Sequence, residues 1–122
     1  MTALEIERRN DVPVARARED IDAANARSVG IELAETIGGG SALVLDLSET
    51  RFLDSAGIDM IFRLAERLRQ RRAQLALVIP ASSPLTRLAE IVGLPRSMPV
   101  CDTLEQALAA CSDAERESHA SE

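Results

Sequence analysis

Two short alternating stretches open the chain. Leu4-Glu5-Ile6-Glu7 alternates apolar and charged residues, and Val12-Pro13-Val14-Ala15-Arg16-Ala17-Arg18 does so again after Asn10-Asp11. A period of two marks a half-buried strand, so the pair predicts two strands joined by a turn. Pro13, with no N–H to give to a ladder, predicts an edge position. The period then lengthens. Ala26, Val29, Leu33 and Ile37 step by three and four residues, which predicts a helix. Asp22 is placed to cap it, and Gly38-Gly39-Gly40 to stop it.

Ala42-Leu43-Val44-Leu45-Asp46-Leu47 is apolar without alternation, the pattern of a strand covered on both faces. A second helix is expected over about Ser55–Gln70, with Ile58, Ile61, Phe62, Ala65 and Leu68 as its apolar stripe. Asp59 stands four before Arg63, a surface pair. Arg67, Arg69, Arg71 and Arg72 gather at its C-terminal end, where the helix dipole favours cations. Leu75–Ile79 is a fourth strand, ended by Pro80 and Ala81. Ser82 or Ser83 then caps a third helix with Pro84 at or near its first position. Its expected face is Leu85, Leu88, Ile91 and Val92, and Gly93 ends it. A short strand over about Met98–Cys101 follows. Asp102, with Glu105 three residues on, caps a last helix that turns Leu104, Ala107, Leu108 and Cys111 inward. Residues 1–111 form one domain in this reading, and 112–122 form a polar tail expected to fray.

The resulting order, β-β-α-β-α-β-α-β-α, is an α/β fold with right-handed crossovers and a largely parallel sheet. In such sheets function collects at the loops leaving the carboxyl ends of the strands. Here these loops include Glu19–Asn25 and Thr50–Gly57, two acidic, capping-rich segments expected side by side on one edge.

Composition narrows the chemistry. The 122 residues carry a net charge of −6 with a pI near 4.8, which argues against a nucleic-acid partner. Phe52 and Phe62 are the only aromatics, so base-stacking platforms are absent. All fourteen basic residues are arginines. Without lysine there is no P-loop and no Schiff-base chemistry. A receiver domain phosphorylated on Asp46 needs a lysine too. The only histidine, His119, lies in the tail, so no serine of the body has an imidazole base, and no catalytic residue is assigned. No Cys/His cluster has metal-ligand spacing, and no metal or cofactor is expected. Cys101 and Cys111 stand about 12 Å apart if the segment between them is helical, too far for a disulfide. They read as thiols in a reducing cytosol. The N-terminus lacks a signal-peptide apolar region and no apolar run approaches membrane-spanning length, so a cytoplasmic protein is expected, without membrane contact.

The stretch Arg51-Phe52-Leu53-Asp54-Ser55-Ala56-Gly57-Ile58 carries the strand out of its apolar run and opens the second helix. Read alone, Asp54 or Ser55 is an N-cap. The neighbours say more. A Leu-Asp-Leu-Ser strand end, the Phe-Leu-Asp-Ser-Ala-Gly loop and the upstream Ile-Asp-Ala-Ala-Asn segment together resemble the STAS family, the sulphate-transporter and anti-sigma-factor-antagonist domain, in its small stand-alone bacterial form. The likeness runs from about Ala3 to Cys111.

That resemblance implies a mixed, mostly parallel five-stranded sheet with about four helices mainly along one side. Asp54-Ser55-Ala56-Gly57 matches the family's Asp-Ser-[Ser/Thr/Ala]-Gly signature, which aligns Ser55 with a serine phosphorylated by a partner kinase. Asp22 aligns with an aspartate near the partner-binding surface, to which Asn25, Arg51, Asp54, Ala56, Gly57 and Ile58 are also assigned. Gly57 is expected to leave room for a partner backbone near the hydroxyl. Glu19 stands where the family usually has Gly, and Arg51 where it more often has an uncharged residue. The implied function is that of an anti-sigma factor antagonist. Unmodified, it binds an anti-sigma factor with serine kinase activity and frees a sigma factor; phosphorylation of Ser55 ends the contact and a phosphatase restores it. A monomer suits that exchange. The alternative is a phosphorylation-independent STAS scaffold in a transporter or signalling complex.

Overall fold

Asn10 and Asp11 both adopt positive φ (54° and 65°), the left-handed region that Asn and Asp tolerate best after glycine. This folds β1 (Leu4–Arg9) back on β2 (Val12–Ala17) as an antiparallel hairpin, paired from Leu4 with Ala17 to Arg9 with Val12. The computed structural model describes residues 4–120, with side chains described through Ser112. The elements that follow are α1 (Ala26–Ile37), β3 (Ala42–Asp46), α2 (Ser55–Gln70), β4 (Gln74–Val78), α3 (Leu85–Val92), α4 (Leu94–Ser97), β5 (Val100–Cys101) and α5 (Leu104–Ala120). The expectation of a frayed tail falls largely on side chains beyond Ser112 and on residues 121–122, outside what is described; the α5 backbone runs through the rest.

The strands lie in the order β1-β2-β3-β4-β5, parallel from β2 onward. Because the order never reverses, right-handed crossovers carry α1, α2 and α3 to the same face. The other face takes α5. Each central strand therefore feeds two cores. Ala15, Ala17, Leu43, Leu45, Leu75 and Leu77 face Val29, Leu33, Ile61 and Leu68 of the crossover helices. Val14, Val44, Ala76 and Val78 face Ala107, Leu108 and Cys111 of α5. That is why the central strands show no alternation.

Several expectations are corrected. Pro13 lies on β2, an internal strand; it escapes cost because the ladder to β3 begins one residue later, at Val14 opposite Val44. The N-cap of α1 is Asn25, not Asp22. Asp22 instead caps the turn ahead of the helix: its Oδ1 accepts from the Ala24 N–H (2.9 Å) and its carbonyl from the Ala26 N–H (2.8 Å). Ser83 supports the start of α3 by accepting from the Leu85 N–H (3.0 Å). Ile91 is 72% exposed, and Ala89 takes the inward position expected of it. Residues 94–97, between the expected third helix and the last strand, form the short helix α4, with Leu94 buried. The last helix is capped by Thr103, whose hydroxyl accepts from the Gln106 N–H (3.2 Å), while the Gln106 side chain accepts from the Asp102 N–H (3.0 Å). The Asp102 carboxylate accepts instead from the Ala81 N–H, joining the exit of β4 to the start of α5. Met60 and Leu64 join the buried face of α2.

Candidate functional site

Beyond the carboxyl ends of β2 and β3 the chain makes two loops, and polar side chains stitch them together. The β3 loop turns at once: Asp46 Oδ1 accepts from the Ser48 N–H (2.9 Å), and the Thr50 N–H donates to the Leu47 carbonyl (3.1 Å). Thr50 is 1% exposed, and its hydroxyl stands 3.3 Å from both the Ala17 and Glu19 carbonyls of the other loop. Asp20 answers from that loop, one carboxylate oxygen accepting from the Arg51 N–H (3.0 Å) and the Phe52 N–H (3.1 Å). Ile21 then pairs with Leu53 as one residue of parallel bridge. The Ile21 N–H donates to the Phe52 carbonyl (3.2 Å), and the Asp54 N–H to the Ile21 carbonyl (3.3 Å). Ile21 and Leu53 are buried, so this stitching has an apolar underside.

Asp54 finishes the seam. It is the N-cap of α2 in extended conformation, with Oδ1 accepting from the Gly57 N–H and Oδ2 from the Ala23 N–H, both at 3.0 Å. One carboxylate both starts the helix and holds the neighbouring loop. Gly57 is buried, and a Cβ there would stand 2.7 Å from the Ile21 carbonyl oxygen. The glycine makes room for this chain's own loop, an internal need beside the partner access expected of it. Asn25 binds the same loop from within, its Oδ1 accepting from the Asp22 N–H (2.9 Å) and its Nδ2 donating to the Asp20 carbonyl (2.8 Å).

The predicted site residues thus divide into two groups. Asp22, Asn25, Asp54 and Gly57 build the platform, and Ala56 and Ile58 are half-buried against the main core. Ser55 and Arg51 are exposed. Ser55 is the first residue of α2, and among the described residues its hydroxyl has no hydrogen-bond partner. The N–H groups of Ser55 and Ala56 likewise meet no acceptor among the described residues, leaving the positive end of the helix open. Arg51 makes no ion pair among the described residues.

Three contributors escaped the sequence reading. Asp20 and Thr50 carry capping-type side chains, but their partners come from a loop about thirty residues away, which no local pattern encodes. Phe52 is the third. It is 47% exposed on a backbone fixed by Asp20 and Ile21, and the scarcity of aromatics was the available signal.

Behind the loops, Arg16 Nε lies 3.3 Å from Asp46 Oδ2, with Glu5 and Glu49 nearby. The hydrogen bond to Asp46 and these surrounding carboxylates raise the Arg16 pKa against the cost of desolvation. Asp46 is 3% exposed and bound on both oxygens.

The family model described as "STAS domain" matches residues 3–107. BtrV of Bordetella bronchiseptica, named as a candidate anti-sigma factor antagonist, is 32% identical over 91 residues, 74% of this chain and 78% of BtrV. The crystal structure of an anti-sigma factor antagonist from Mycobacterium paratuberculosis superposes with a TM-score of 0.75 at 26% identity, covering 89% of this chain and 92% of that one. The Bacillus cell fate determinant SpoIIAA, solved in its phosphorylated form, shares the fold (TM-score 0.62, 19% identity, 88% and 98% covered). With a family model spanning most of its length, the chain belongs to the STAS domain family.

Proposed function

We propose that this STAS protein is an anti-sigma factor antagonist that works by partner switching, with Ser55 as its phosphorylation site. The observation that carries the reading is the division of labour between Asp54 and Ser55. Asp54 does the capping, so the exposed Ser55 hydroxyl at the first position of α2 has no structural task. The relatives named as antagonists support the partner class, and a fold relative solved in phosphorylated form supports the modification.

In this reading the protein performs no chemistry of its own. An anti-sigma factor with serine kinase activity transfers the γ-phosphoryl group of ATP to Ser55 Oγ; the hydroxyl proton passes to the kinase and ADP leaves. The product carries about −1.5 to −2 charges and three strong acceptor oxygens. The open N–H groups of Ser55 and Ala56 and the helix dipole make that anion tolerable within the domain. The cost falls on the interface, where a partner seated over Ser55 must desolvate the new charge beside the Asp54 carboxylate. A loss of about 3 kcal/mol weakens binding more than a hundredfold, enough to release the partner while the fold stays intact. A phosphatase resets the switch. The protein acts as a cytoplasmic monomer.

Titrating each anti-sigma kinase of the same genome with unmodified, phosphorylated and Ser55→Asp protein tests this. The expected result is that the unmodified form binds and displaces a sigma factor, while the two charged forms bind at least a hundredfold more weakly. Equal binding by all three forms contradicts the switch and points to a phosphorylation-independent scaffold.

A further inference from the structure

A groove of about 540 Å³ runs between α1 and α2. Both helices cross back between parallel strands, so they run side by side with their N-termini at the same end. Ala23 and Ala56 line that end, which places Ser55 at the mouth of the groove. From Ala56 to Arg67 the lining residues of α2 recur every three or four positions along one helical face. At 1.5 Å per residue this is about 17 Å, room for three turns of a docked helix. The floor is apolar. Met60 and Leu64 form it, and a Cβ on Gly30 would stand 2.9 Å from Met60 Cγ, so the glycine keeps it low. Ile31 stands at the rim, 51% exposed.

The walls are cationic on a chain whose net charge is −6. Arg27 rises from α1, and Arg63 and Arg67 from α2. Asp59, the one acidic residue of the lining, is held by Arg63 at 2.7 Å. Arg27 and Arg67 have no ion pair among the described residues. An apolar floor between unpaired arginines fits a helix with an apolar stripe flanked by carboxylates. We infer that the α1–α2 groove receives an acidic amphipathic helix of the anti-sigma partner, so that one bound partner spans both the groove and Ser55. This rests on the proposed function and adds to it a second point of contact. Its role is to set which anti-sigma factor is accepted, since Arg27 and Arg67 discriminate against any partner lacking carboxylates at that spacing.

The test uses the full-length protein and each anti-sigma kinase of the same genome as probe. Two preparations are compared with wild type: the double variant Arg27→Glu with Arg67→Glu, and protein carrying photoreactive p-benzoylphenylalanine in place of Ile31. Both altered surfaces are exposed, and a thermal melt checks that the fold is kept. The double variant is expected to bind the kinase at least tenfold more weakly, with a shallower salt dependence than wild type. The photoreactive position is expected to cross-link to an acidic helical segment of the kinase. Wild-type affinity in the double variant, with phosphorylation of Ser55 still ending the contact, overturns the groove and leaves partner switching in place. A cross-link only to a second copy of this chain, or none while the kinase is bound, overturns it equally. If no kinase binds or modifies the protein, the partner-switching reading falls and the groove falls with it.

Discussion

At the scale of single residues, the site separates what holds the fold from what faces outward, although the two are adjacent in the chain. Asp54→Ala removes the acceptors of the Gly57 and Ala23 N–H groups and is expected to cost about 1–3 kcal/mol in denaturant unfolding. Ser55→Ala removes a hydroxyl without a partner and is expected to change stability by less than about 0.5 kcal/mol. Equal losses in the two variants would show that Ser55 is structural after all. Gly57→Ala places a methyl 2.7 Å from the Ile21 carbonyl and is expected to cost about 1–3 kcal/mol by forcing the two loops apart. The motif identified these residues in sequence but left Asp54 and Ser55 as rival caps. The Gly57 N–H, three residues on, makes Asp54 the cap, and its other oxygen takes the Ala23 N–H, thirty-one residues away, a role that no window on the sequence contains.

Among the elements, the central strands and α2 were legible because burial on two faces and a helical stripe leave strong patterns. The errors sit where tertiary contacts override local signals. Pro13 reads as an edge residue, yet β2 is internal and the parallel ladder begins just past the proline. Ile91 reads as part of an apolar face, but the short α3 turns the smaller Ala89 inward and leaves Ile91 in solvent. The joint between β2 and β3 offers a test of its own. Arg16→Ala leaves the nearly buried Asp46 carboxylate without its cation and is expected to lower unfolding free energy by about 1–2 kcal/mol, a modest loss because Arg16 itself is partly solvated. The raised pKa of Arg16 means its contribution is complete at every pH below the ordinary arginine value, so it adds no pH dependence in the working range. On β5, burial raises the Cys101 thiol. Native protein at pH 8 is therefore expected to alkylate more slowly with iodoacetamide than unfolded protein. Its stability is expected to fall as pH climbs above the ordinary thiol value, where the unfolded chain ionises first. Equal alkylation rates would contradict the burial assigned to Cys101.

For the whole molecule, the family, the fold and an exposed serine at the start of α2 support the proposed regulated contact. The sheet's free margins suit a protein that exchanges partners without self-association: β1 carries Glu5, Glu7, Arg8 and Arg9, and β5 is only two residues long. Light scattering is accordingly expected to return a mass near the 13.2 kDa of one chain. The measurement that bears most directly on the central claim is phosphate incorporation. Wild-type and Ser55→Ala protein are each incubated with ATP and the anti-sigma kinases of the same genome, and the intact proteins are weighed. Partner switching through Ser55 predicts a single added phosphate on wild type and none on the variant. A kinase that binds both proteins and phosphorylates neither, or one that modifies both alike, would contradict it.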